Sequence, residues 1–117
     1  MNFAQSKSSS PGVPQVEDKY FYNEEHGLPA IMELFDGHIG KNVLEIGSGT
    51  GAIAEYLYRG GRSVVSVEPE AVLAKRVRER FSHNESVTVI EKDSVQAYKE
   101  LKEQERNFDT VVYLSVL

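Results

Sequence analysis

The chain has 117 residues, 40% of them hydrophobic and 26% charged, which suits one small globular domain with a single core. Its formal net charge is −5 and it has no cysteine, which argues against a nucleic-acid partner and excludes disulfides and thiolate metal sites. No run approaches the roughly 18 apolar residues of a membrane span, and the N-terminus lacks a signal peptide's apolar core, so the expected compartment is the cytoplasm.

Residues 1–16 are rich in Ser, Pro and Gln and read as a flexible lead-in, with too little apolar surface to offset the entropy of ordering. Residues 17–117 read as the folded domain. Tyr20, Phe21 and Tyr22 precede an acidic pair, Glu24 and Glu25. Tyr20 and Tyr22 read as packing on the first helix, with a lid over a ligand as the alternative. Pro29 fits the first turn of that helix, where its missing N–H costs nothing. Ile31, Leu34 and Phe35 repeat at helical spacing, so this stripe is expected to pack on the core, and Gly37 to end the helix.

From Asn42 onward two textures alternate. Four β-branched runs, 43–46, 64–67, 87–90 and 110–114, predict strands. Between them lie three segments of helical period. Ile53 and Leu57 mark the first, closed by Gly60 and Gly61. Leu73, Ala74, Val77 and Phe81 mark the second, opened by Pro69. Val95, Tyr98 and Leu101 mark the third. Alternation at this spacing predicts βαβ units and a parallel sheet with helices on both faces, a three-layer α/β/α sandwich. Lys75, Arg76, Arg78 and Arg80 fall on the second helix beside Glu79 and read as a solvated face.

The first strand runs straight into Gly47-Ser48-Gly49-Thr50-Gly51, and a helix follows at once. Glycines here permit a tight turn and close approach of a ligand, and the helix N-terminus offers free N–H groups. Glu68 ends the second strand about 20 residues after Gly47, where a carboxylate can accept hydrogen bonds from ribose hydroxyls. It also suits the N-terminus of the next helix. Asp93, with Ser94 beside it, follows the third strand; it is positioned to meet an adenine amino group or to cap the next helix. Glu45 bears on the kind of nucleotide. A pyrophosphate over the glycines would be repelled by this carboxylate, whereas the sulfonium and ammonium of S-adenosylmethionine would be stabilised. Gly47, Gly49 and Ala52 also satisfy the dinucleotide pattern, which keeps a nicotinamide cofactor as the alternative.

The run from Val43 to Gly51 resembles motif I of class I S-adenosylmethionine-dependent methyltransferases. Residues 64–69 resemble their second motif, 87–94 the third, and 108–117 the fourth-strand motif. The resemblance covers residues 41–117 and implies a Rossmann-like fold. In the family the glycine loop holds the methionine part of the donor, the acid at Glu68, followed by Pro69, the ribose, and the pair Asp93-Ser94 the adenine. Leu114 and Ser115, after the fourth strand, correspond to residues that line the donor cleft. Together with the right-handed crossover rule, the resemblance predicts parallel strands in the order 3-2-1-4. Family members continue through three more strands that build the acceptor pocket, so the sheet is expected to be incomplete at its C-terminal side.

Three functions follow as candidates. The first is a methyltransferase represented by its donor-binding portion, with S-adenosylhomocysteine as product. The second is a non-catalytic S-adenosylmethionine-binding module that needs a partner chain. The third is a fragment of an NAD(P)-dependent oxidoreductase. No acceptor and no general base is nominated, and no metal is expected; His26, His38 and His83 stand alone and read as surface or turn residues. The fourth strand, at an edge without the usual protecting Lys or Pro, invites association or belongs to a longer polypeptide. Methyl transfer by the 117 residues alone is expected to be undetectable.

Overall fold

The computed structural model describes residues 22–113. Residues 1–16, Tyr20 and the Leu114-Ser115 pair therefore lie outside the described residues. A π-helical turn, Asn23–Gly27, leads into α1 (Leu28–Glu33), with Pro29 in its first turn. A 3₁₀ turn follows at Asp36–His38. Then β1 (Asn42–Ile46), α2 (Ala52–Arg59), β2 (Ser63–Val67), α3 (Ala71–Arg80), β3 (Val87–Ile90), α4 (Ser94–Glu103) and β4 (Thr110–Tyr113) alternate as expected.

All pairs are parallel and the order is β3-β2-β1-β4, so β1 is central and the glycine loop leaves it where the strand order reverses. Glu45 stands opposite Ser66 on β2 and Val112 on β4. The start of β4 is tied to β1 by Asp109, whose Oδ2 accepts the N–H groups of Lys41 and Asn42 at 3.1 and 3.0 Å. Those backbone hydrogen bonds, that of Asn42 first, outweigh the desolvation cost and, with the Thr110 hydroxyl, hold the Asp109 carboxyl below the usual carboxylate range.

The side-chain alternation of a strand splits the core in two. Val43, Val64, Val87 and Val112 face α1, α2 and α3 and pack with Met32, Ile53, Leu57, Val77 and Phe81. Val65, Val67 and Ile90 face α4 and pack with Ala97 and Leu101. The second layer is thinner. Leu44 and Ile46 are only half-buried beside a groove of about 330 Å³ next to α4, and Val111 and Tyr113 on β4 are exposed. The continuous burial expected of both faces thus holds for β2 and not for β1 and β4.

Two helices turn differently from expectation. Ile31, Leu34 and Phe35 do not pack on the core; Leu34 is 77% exposed, and α1 is seated by Leu28 and Met32 instead. Leu34 is the C-cap of α1 and Phe35 has already left it, so the stripe does not continue along one helical face. α1 ends at Glu33, and Gly37 lies in the 3₁₀ turn beyond it. On α4, Val95 and Tyr98 are exposed, while Ala97 and Leu101, one turn apart, meet the sheet. Pro69 sits two residues before α3, whose N-cap is Glu70. Among the described residues no helix is long and apolar enough to cross a membrane.

Candidate functional site

At the carboxyl ends of β1 and β2 the chain turns through three left-handed glycines. Gly47, Gly49 and Gly51 have φ of 87°, 54° and 93°, left-handed values that side chains rarely adopt. The turn is held from below by Glu68. Its Oε1 accepts the Ser48 N–H at 3.0 Å and the Ser48 hydroxyl at 3.1 Å, and its Oε2 accepts the Glu70 N–H at 3.1 Å. Glu68 is thus both the end of β2 and the anchor of the glycine loop.

Glu45, one residue before the end of β1, is buried, and Ser66 on β2 donates to its Oε1 at 2.7 Å. Burial pushes its carboxyl up to about 8; the Ser66 bond opposes this, and the charges of Glu24 and Glu68 add to it. Burial thus favours the neutral form of this carboxyl, and a cation beside it would act in the opposite direction.

The acidic pair ahead of α1 completes the site from above. Glu24 is 3% exposed, and its Oε1 accepts the Thr50 N–H at 2.9 Å. A Cβ on Gly49 would land on the Glu24 carboxylate, so the glycine is needed for contact as well as for φ. Glu25 accepts the Thr50 hydroxyl at 2.6 Å and both terminal nitrogens of Arg80 at 2.9 and 3.0 Å. Burial raises the Glu25 carboxyl, but the bonds from Arg80 and Thr50 outweigh it and hold the group below the usual range. Arg80 also donates to the Thr50 carbonyl and to Glu55, so one guanidinium links the N-terminal turn, the loop, α2 and α3.

The result is a cleft of about 190 Å³ whose walls include Glu24, Glu45, Gly47, Ser48, Gly49 and Glu68. Five of the residues singled out from sequence meet there: Glu45, Gly47, Ser48, Gly49 and Glu68. Thr50 and Gly51 turn away from it, toward Glu25 and Arg80. Pro69 is exposed beside it. Asp93 and Ser94 sit apart, at the end of β3. Asp93 Oδ1 accepts the Gln96 N–H at 2.8 Å and Gln96 reaches back to the Asp93 N–H, so the capping role is realised. Asp93→Ala is expected to cost about 1 kcal/mol of stability by denaturant titration, as for other lost caps. Glu24 and Glu25 carried no local signal, since their partners lie 26, 25 and 55 positions away in the chain.

An open parallel sheet ordered 3-2-1-4, with a glycine loop after its first strand and an acid after its second, is a Rossmann-like nucleotide-binding fold, and the relatives place it among the S-adenosylmethionine-dependent methyltransferases. Within that class the chain belongs to the ribosomal RNA adenine dimethylase family, whose pattern matches residues 19–114. It is 40% identical over 73 residues to the ribosomal RNA small subunit methyltransferase A of Acidobacterium capsulatum, covering 62% of this chain and 26% of that protein. To the protein of the same description from Koribacter versatilis it is 32% identical over 90 residues, 77% of this chain and 32% of that one. The chain thus spans about a quarter to a third of the length of these relatives. The crystal structure of the O-methyltransferase from Bacillus cereus in complex with SAH aligns with a TM-score of 0.65 over 90% of this chain and 57% of that one. At 18% identity it supports the fold alone.

These relatives correct one expectation. The argument from charge against a nucleic-acid partner fails, because the proteins this chain resembles are named for ribosomal RNA. Net charge was the wrong quantity. It averages over acids that serve the cleft and the internal ion pairs of Arg62, Arg78 and Arg80, and it counts a chain spanning a third or less of its relatives. Family membership also removes the nicotinamide alternative.

Proposed function

We propose that this chain forms the S-adenosylmethionine-binding part of a methyltransferase whose acceptor is ribosomal RNA. The observation that carries the reading is the cleft itself, a glycine turn enclosed by Glu24, Glu45 and Glu68. Buried carboxylates disfavour an anionic ligand and favour a cationic one. At about 190 Å³ the cleft is smaller than the roughly 300–1,000 Å³ of sites that enclose a whole drug-sized ligand. It suits the methionine end of the donor, with the adenosine extending past Glu68 toward Asp93 and Ser94. Glu68 has its carboxylate oriented by Ser48 and Glu70, ready to accept ribose hydroxyls. Leu114 and Ser115, which follow β4 in the sequence, complete the proposed lining of the donor cleft.

Bound donor supplies an electrophilic methyl group on a sulfonium. The residues described here hold and orient it, and the gain comes from alignment with the acceptor. The RNA acceptor rests on the family and its relatives' descriptions, and the cytoplasm is the compartment proposed with it. Glu68→Ala is expected to weaken S-adenosylmethionine binding by about 1.5–3 kcal/mol, the range for hydrogen bonds to a charged group. Titration calorimetry on a variant with an unchanged circular dichroism spectrum measures it; equal affinity would remove Glu68 from the ribose. For the acceptor, the complete gene product with methyl-labelled donor should label ribosomal RNA, and label that stays out of RNA contradicts the assignment.

A further inference from the structure

The cleft holds one polar atom that the fold leaves unused. Glu24 Oε1 is satisfied by the Thr50 N–H, but Glu24 Oε2 is buried without a hydrogen-bond partner among the described residues. Leaving a buried carboxylate oxygen unpaired is expensive, and such an atom in a native fold calls for an explanation. The surroundings supply one. Glu24 lines the cleft beside the glycine turn, and the turn has no side chain at Gly49 where the carboxylate lies.

The carboxylate is also held in place with more structure than a core contact needs. Glu24 and its neighbour Glu25 both grip Thr50, one at the N–H and one at the hydroxyl. Glu25 is in turn clamped by two nitrogens of Arg80, which reaches back to the Thr50 carbonyl. The π-helical turn that carries both acids lets adjacent residues reach different parts of the loop. The two other acids of the cleft are committed within the fold, Glu45 through Oε1 to Ser66 and Glu68 through both oxygens to Ser48 and Glu70.

We propose that Glu24 Oε2 accepts a hydrogen bond from the α-ammonium of the bound donor, making Glu24 a specificity residue for ligands that carry an amino-acid end. This rests on the donor reading given above. A charge-assisted bond of this kind is directional and strong in a dry cleft. It also gives the buried Glu24 Oε2 the partner that the described residues do not supply. The staple from Glu25 to Arg80 then acts as the positioning device that keeps the acceptor atom aimed at the ligand.

The test is a thermodynamic cycle on the 117-residue chain. S-adenosylhomocysteine and its deamino analogue, in which hydrogen replaces the α-amino group, are titrated into the parent and into Glu24→Gln. The glutamine oxygen can keep the Thr50 bond, so the loop is retained, and a thermal melt checks it. The expected result is a tenfold or greater loss of S-adenosylhomocysteine affinity in Glu24→Gln, and no difference between the two proteins toward the deamino analogue. An equal loss toward both ligands would mean that Glu24 only shapes the loop, and would overturn the inference. Unchanged S-adenosylhomocysteine affinity in Glu24→Gln would overturn it too, while leaving the donor site intact. A folded parent that takes up neither ligand overturns the donor reading and this inference with it.

Discussion

Gly49→Val should abolish donor binding and lower the melting temperature by more than about 10 °C, at several degrees per kcal/mol for a domain of this size. Two effects add. Gly49 has φ 54°, and a β-branched residue held in such a conformation costs about 1–3 kcal/mol. The new Cβ would also land on the Glu24 carboxylate, displacing it from the Thr50 N–H and losing a charge-assisted bond of about 1.5–3 kcal/mol. Gly47→Ala separates the two. Gly47 has φ 87°, but a Cβ there meets nothing within 4 Å, so only the conformational part applies. Its melting temperature should fall less than half as far. Melting curves that rank Gly47→Ala at or below Gly49→Val would contradict the contact between the loop and Glu24.

The second large effect is the pH dependence set by Glu45. Its folded value of about 8 lies above the ordinary carboxylate value of 4.5. The folded state therefore keeps a proton that the unfolded state releases as pH rises between those values. Stability is fully present below the ordinary value and is lost up to about pH 8, by several kcal/mol on the scale of 1.36 kcal/mol per pKa unit. Glu25, held below the usual range, acts in the opposite window: its contribution is present above the ordinary value and is lost as pH falls further. Glu45→Gln keeps an oxygen for the Ser66 hydroxyl and removes the titration. Its melting temperature should change little from pH 5.5 to 8.5, while the parent's falls. A cationic donor favours the ionised carboxyl, so binding should tighten from pH 6 to pH 8 and release a proton. Calorimetry in buffers of different ionisation heat detects that proton. Parallel melting profiles for parent and Glu45→Gln would contradict the burial argument.

What the sequence disclosed, and what it hid, divides by the range of the interaction. Strands with β-branched runs, the helices between them and the glycine turn are local in sequence, and 3-2-1-4 followed from them with the family resemblance. Glu68 stands beside the glycine loop because its spacing from Gly47 is set by one βα unit. Asp93 was ambiguous from sequence because capping and ligand binding use the same acid at the same place. Glu24 was invisible because the atom that gives it meaning, the Thr50 N–H, is 26 positions away. The stripe of Ile31, Leu34 and Phe35 does not face the core because α1 ends at Glu33, before Leu34 and Phe35 can extend its face, while Leu28 and Met32 seat it. On α4 the buried face is Ala97 and Leu101, four residues apart, and Val95 and Tyr98 fall on the opposite side. The RNA connection was hidden for a different reason, since it lies in relatives whose length this chain spans only in part.

The central claim is that the cleft between Glu24, Glu45, Glu68 and the glycine turn receives S-adenosylmethionine. Titration calorimetry of the chain with S-adenosylmethionine, S-adenosylhomocysteine and NAD addresses it most directly. The first two should bind one-to-one and saturably, Gly49→Val should abolish that binding, and NAD should give no heat. A folded chain that binds NAD, or that binds neither adenosyl ligand, would contradict it.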